Sequence, residues 1–109
     1  MIQDKPTKEQ RELIQNLAIL KDSVWDAENT QQIIKIAEKA INLSKPVIPL
    51  KYVFANGLEY YDDKGKAFKL ETLQSEVQLL KSDFYSSIQS EKFAVASSIV
   101  SLIAVFSIL

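Results

Sequence analysis

The sequence contains no cysteine and no histidine. Without a thiol there is no Cys nucleophile, no disulfide and no thiolate metal ligand, and without imidazole the usual general base at neutral pH and the commonest metal ligand are missing. No Gly-rich phosphate loop and no nucleophile motif occurs either, in a chain with two glycines among 109 residues. No catalytic, cofactor-binding or metal-binding residues are therefore expected. A reducing cytosol fits a Cys-free chain, although a secreted helical protein can also dispense with disulfides.

An excess of charge of either sign is absent as well. The net charge is -1 and the pI about 5.4, so the basic footprint that phosphate contacts require is missing and nucleic acid is not an expected partner. Near the N-terminus, Asp4, Lys5, Lys8 and Glu9 stand where a secretory signal would carry its apolar stretch, so no signal is expected there. The last absence is positional. All 13 Lys and Arg and all 14 Asp and Glu lie in the first 92 residues, leaving residues 93–109 without a charge.

What is present reads as helix. A chain of this length forms one domain with one core, organised as an amphipathic body over residues 1–92 and an uncharged apolar helix over residues 93–109. Thr7 and Gln10 have capping-box spacing, and Leu13, Ile14, Leu17, Ile19, Leu20 and Val24 follow at helical intervals. This predicts a first helix over 8–25, with Trp25 packed at its end. Asn29 and Gln32 repeat the cap signal ahead of Ile33, Ile34, Ala37, Ala40 and Ile41, which predicts a second helix over 30–44, stopped by Pro46.

Residues 47–70 admit two readings. Pro49 can open a helix whose face is Leu50, Val53, Phe54, Leu58 and Tyr61, ending at a turn over Asp62, Asp63, Lys64 and Gly65. Alternatively Asn56-Gly57 is a hairpin turn, and a short β-meander runs to Ala67-Phe68-Lys69-Leu70. The helical reading is favoured, because Tyr52-Val53-Phe54-Ala55 lacks the alternation of a half-buried strand. Beyond it, Leu70, Leu73, Val77, Leu80, Phe84 and Ile88 form one stripe. Neither Gly nor Pro occurs between Glu71 and Leu109, so this helix can continue into the tail as one rod of about 60 Å. A bend at Ser86-Ser87 or Ser90 would instead fold the tail back. The expected fold is thus mainly α: a small antiparallel bundle of four to five helices with an apolar C-terminal helix.

Three groups are candidates for function. Glu59, Asp62 and Asp63 bring three carboxylates together beside Lys64, Lys66 and Lys69, which reads as a solvated turn because neither a calcium-loop spacing nor an apolar pocket accompanies it. Tyr52, Phe54, Tyr60, Tyr61 and Phe68 form an aromatic concentration, with Tyr60 and Tyr61 the candidates for exposure and interaction. In the tail, Ala94, Ser97, Ser101 and Ala104 share a face of small residues, opposite a bulky set that includes Ile99, Leu102, Phe106 and Leu109, and Phe93 and Phe106 are further contact candidates. Such a seam admits a second helix closely, in a membrane or in a soluble bundle. As a helix the tail is about 25 Å long, near the lower limit for a bilayer span of about 30 Å. It is a core helix, a membrane segment or a partner-binding helix.

Several stretches resemble the immunity proteins of pediocin-like bacteriocins. They are Ile36-Ala37-Glu38-Lys39-Ala40-Ile41, the break Ser44-Lys45-Pro46-Val47-Ile48-Pro49-Leu50, and Leu70-Glu71-Thr72-Leu73-Gln74 ahead of Leu79-Leu80-Lys81. The resemblance covers roughly residues 8–85. It implies a cytosolic four-helix bundle that protects a producing cell by recognising a bacteriocin on its membrane receptor from the cytoplasmic side. It places recognition at Tyr60, Tyr61 and the tail. The expected class is therefore a non-enzymatic binding protein, cytoplasmic and membrane-associated, with a protein partner. The competing classes are a membrane-active or tail-anchored helical protein that self-associates as a homo-oligomer, and a small structural subunit of a complex.

Overall fold

The computed structural model describes residues 8–46 and 64–108, with side chains from residue 70 to residue 107 in the second stretch. The described residues form four helices and no strand: α1 (Lys8–Asp26), α2 (Thr30–Ser44), α3 (Lys64–Lys81) and α4 (Ile88–Ile108). The predicted boundaries of α1 and α2 hold to within a residue. Asn29 is the N-cap of α2, accepting from the Gln32 backbone N–H at 3.0 Å, while the Gln32 side chain accepts from the Glu28 N–H. That reciprocal pattern satisfies donors the first turn would leave open. The short link over residues 27–29 turns α2 back along α1.

The third segment departs from the sequence-based expectation at both ends. Lys64 and Gly65 belong to α3 instead of a turn, and residues 67–70 are helix, so the third strand of the alternative meander is not formed. The remaining positions of the helix-or-meander question, 47–63, lie outside the described residues, as do Tyr60, Tyr61, Glu59, Asp62 and Asp63. At the far end the rod of about 60 Å does not form; the alternative holds, a bend next to Ser86-Ser87 that folds the tail back onto the bundle. The chain leaves helix after Lys81 and re-enters it at Ile88.

The break needs neither Gly nor Pro. Asp83 takes the left-handed conformation at φ 61, a region that Asp tolerates better than most residues. The Asp83 N–H donates to the Leu80 carbonyl and the Phe84 N–H to the Leu79 carbonyl, each at 3.2 Å. These are the two bonds of a Schellman C-cap. Ser87 then caps α4, its Oγ accepting from the Ser90 N–H at 3.2 Å. One consequence is that Phe84, which the stripe assigned to the core, sits just past the cap and is exposed.

Packing follows from the buried stripes. Leu13, Leu17, Leu20 and Val24 of α1, Ile33, Ala37, Ala40 and Ile41 of α2, and Leu73, Val77 and Leu80 of α3 close around Val95, Ile99, Leu102 and Phe106 of α4. Ile19 of the α1 series points outward, and Trp25 stays half exposed instead of packing at the helix end. Each helix packs against its sequence neighbours, α4 closes the ring against α1, and α2 reaches α4 across the diagonal. On α2 the buried positions include Ala37 and Ala40, small side chains that permit close helix approach. The Lys92 Nζ donates to the Trp25 carbonyl at 2.8 Å and the Thr30 hydroxyl to Glu91 Oε1 at 2.7 Å. Both bonds place the start of α4 beside the end of α1 and the start of α2. Among the described residues the helices form an antiparallel, up-down-up-down bundle of four.

Candidate interaction surface

The uncharged C-terminal segment is a core helix on one side and solvent-facing on the other. Val95, Ala96, Ile99, Leu102, Val105 and Phe106 are buried. From Ser90 to Ser107 the exposed positions are Ser90, Phe93, Ser97, Val100, Ala104 and Ser107, a 3-4-3-4-3 spacing that forms one straight ridge on a helix. No residue of that ridge carries a charge. Elsewhere the bundle surface is of the usual kind: α1 presents Lys8, Glu9, Arg11, Glu12, Asp22 and Asp26, and α2 presents Gln31, Gln32, Lys35 and Lys39.

One of the three ridge serines turns its hydroxyl back onto the helix, as do two serines beside the ridge. Ser107 returns its hydroxyl to the Ile103 carbonyl at 2.7 Å, Ser98 to Ala94 at 3.0 Å and Ser101 to Ser97 at 3.1 Å. A serine bonded to its own helix four residues back has spent its donor and presents little more than a small side chain. Phe93 is 68% exposed and Val100 49%. At the same end of the bundle Trp25 is 47% exposed, and the Lys92 bond to its carbonyl fixes the end of α1 next to the start of the ridge.

Six of the eight interaction candidates can be placed. Phe93, Ser97 and Ala104 lie on the exposed ridge. Ala94 and Ser101 are half-buried on its flank, so the seam is displaced from the face read from spacing. Phe106 is 0% exposed and is a core residue, not a contact residue. Sequence reasoning missed Val100 and Ser90, because nothing in an apolar run marks which residues the neighbouring helices leave uncovered. It also missed Trp25 and Phe84 as surface residues.

Polar chemistry elsewhere is sparse. A shallow groove of about 610 Å³ between α2 and α3 is lined by Glu38, Ile41, Lys45, Gln74, Gln78 and Lys81. The ion pair Lys81–Glu38 at 2.7 Å lies at its rim, largely in solvent, where such pairs contribute about 0–1 kcal/mol. Among the described residues no group of three acidic side chains is placed to hold a metal ion. Glu91, the one buried carboxylate among the described residues, is paired with Thr30 and sits in the first turn of α4, where the helix dipole favours it.

Glu76 is the one titratable group that departs from its ordinary range among the described residues. Burial raises its pKa, and the Tyr85 hydroxyl donates to its Oε2, tying the 82–87 loop to α3. A folded-state pKa above the unfolded value favours the folded state at low pH, and this contribution is lost as pH rises through the raised pKa. Glu76→Gln is therefore expected to flatten the stability profile between the ordinary carboxylate range and neutral pH. Urea denaturation of both proteins across that window checks it, and a wild-type profile that gains stability relative to Glu76→Gln as pH rises contradicts the assignment.

In comparisons with known proteins, the chain matches no family model, no curated protein and no solved structure.

Proposed function

We propose that this protein is a non-catalytic helical bundle that works by binding a protein partner, with the outer ridge of α4 and the adjoining Trp25 as its contact surface. One observation carries this reading: a solvent-facing helix ridge without a single charge, bearing exposed Phe93 and Val100. Exposed apolar side chains on an uncharged helix face support the reading of that face as an interaction site. The lack of His and Cys agrees with a role that is not catalytic.

The resemblance over residues 8–85 supplies the particular version of this function, a bacteriocin immunity protein acting in the cytoplasm at the inner face of the membrane. Expression in the cytosol of bacteriocin-sensitive cells is then expected to raise resistance to one pediocin-like bacteriocin. Val100→Glu, which alters an exposed position, should abolish that protection while the protein stays folded. Absence of resistance across a broad bacteriocin panel would remove the immunity reading.

Membrane association through α4 is the second reading, favoured by the length and composition of Ile88–Ser107, which suffice for a bilayer span. The same helix packs against each of the other three, so full insertion would strip Ile99, Leu102 and Phe106 from the core. Contact of the intact bundle with a membrane surface is the form of this reading that keeps the fold. Recovery in the membrane fraction after carbonate washing, with loss of the bundle's cooperative unfolding, would favour insertion instead.

A further inference from the structure

The ridge of α4 faces solvent only while the helix is held at one rotation about its axis, and we infer that Glu91 and Lys92 set that rotation by clamping the α1–α2 junction. They are positioning residues for the contact surface, and that functional meaning rests on the reading of the ridge as a binding site. Apolar packing is too permissive to orient α4, because burial of apolar area is non-directional. Turning the helix by one residue, about 100°, would bring Val100 and Ile103 inward in place of Ile99 and Leu102, one aliphatic set for another. Cores filled with apolar side chains of roughly the right volume lose their single arrangement before they lose stability. Past Lys92 the sequence carries no charge. The hydroxyls of Ser98, Ser101 and Ser107 bond back to their own helix, so they direct α4 toward no neighbour.

Glu91 and Lys92 supply the missing direction. Glu91 is buried, and its Oε1 accepts from the Thr30 hydroxyl at 2.7 Å. Thr30 opens α2, where the positive end of the helix dipole favours a carboxylate. The Lys92 Nζ donates at 2.8 Å to the carbonyl of Trp25 in the last turn of α1, where the negative end favours a cation. Two consecutive residues of opposite charge thus meet the opposite poles of two helices that abut at the 27–29 link. Sliding α4 by one residue would bring Lys92 to the start of α2 that Glu91 occupies. Rotating it would take Glu91 from its Thr30 donor, and a buried charge without a hydrogen-bond partner is costly. The arrangement that satisfies both residues is the one that leaves Phe93, Ser97, Val100 and Ala104 exposed.

Ser97 is exposed and its neighbour Ser98 is buried, in a chain without cysteine. Ser97→Cys and Ser98→Cys, made separately in the full chain, therefore report the rotation of α4 through their rates of alkylation by iodoacetamide. With the clamp intact, Ser97→Cys is expected to react at least about tenfold faster than Ser98→Cys, since a buried thiol reacts only on opening. Adding Thr30→Val, Glu91→Leu and Lys92→Met together replaces the polar groups with apolar ones of similar shape. The two rates should then come within about threefold of each other, while far-UV circular dichroism keeps the helix signal. Glu91→Gln with Lys92→Arg, which keep an acceptor and a donor, should preserve the difference. So should Leu13→Ala, which opens a cavity in α1 and leaves the clamp in place; an equal collapse there means general loosening and overturns the assignment. A difference that survives the triple substitution overturns it as well. If the triple substitution abolishes the helix signal, Thr30→Val alone decides: a reduced difference supports the clamp and an unchanged one overturns it. The contact-surface reading fails separately. Bacteriocin protection that persists with a collapsed difference keeps the clamp and removes the ridge as contact surface. Loss of protection by Val100→Glu, with the difference unmoved by the triple substitution, keeps the ridge and removes the clamp.

Discussion

Removing residues 93–109 is expected to leave no folded bundle. The deletion takes away Val95, Ile99, Leu102, Val105 and Phe106, all buried, from a helix that packs against α1, α2 and α3. At about 1.5–3 kcal/mol for each large apolar side chain, these five account for roughly 8–15 kcal/mol of gross burial. The net stability of a small domain is about 5–15 kcal/mol, so little or none remains. Far-UV circular dichroism of the truncated chain should show loss of helix well beyond the deleted residues, because α1 and α3 lose the neighbour that covers their stripes. A truncation that keeps the remaining helix signal and unfolds cooperatively would mean that α4 is an appendage and that the core has been misassigned.

The second large effect separates the two faces of the same helix. Phe106→Ala is expected to cost about 3–5 kcal/mol, the usual range for emptying a Phe site in a core, and to lower the melting temperature by at least about 10 °C. Phe93→Ala, at a position 68% exposed, should change monomer stability by no more than about 0.5 kcal/mol. Thermal melts at low protein concentration, where association does not contribute, make the comparison clean. Equal losses for the two variants would show that α4 is rotated about its axis relative to the arrangement described. Within a membrane-inserted helix neither substitution would have this asymmetry, so the pair of melts also bears on the membrane reading.

These expectations locate where sequence and structure part company. The first two helices were legible because their signals are local: Leu13, Leu17, Leu20 and Val24 repeat at helical intervals, and the Asn29 and Gln32 side chains complete a cap within one turn. A bend near Ser86-Ser87 was legible as one of two readings, but the residue that ends α3 was not. Its C-cap rests on Asp83 in the left-handed region, and a single Asp among polar residues looks like any surface position until the carbonyls of Leu79 and Leu80 are seen to need donors. That one residue decides whether Phe84 continues a core stripe or stands in solvent.

The interaction surface shows the same division more sharply. The sequence alone established that residues 93–109 carry no charge, that the chain is mainly helical, and that His and Cys are missing. Those conclusions depend on which residues exist and how they are spaced along a helix. It could not say which side of α4 is covered, because a helix apolar on every face carries no amphipathic signal to orient it: Phe93 and Phe106 look alike in the sequence, and so do Val95 and Val100. Only the packing of α1, α2 and α3 around that helix distinguished them, since burial is a property of what lies opposite a side chain and not of the side chain itself.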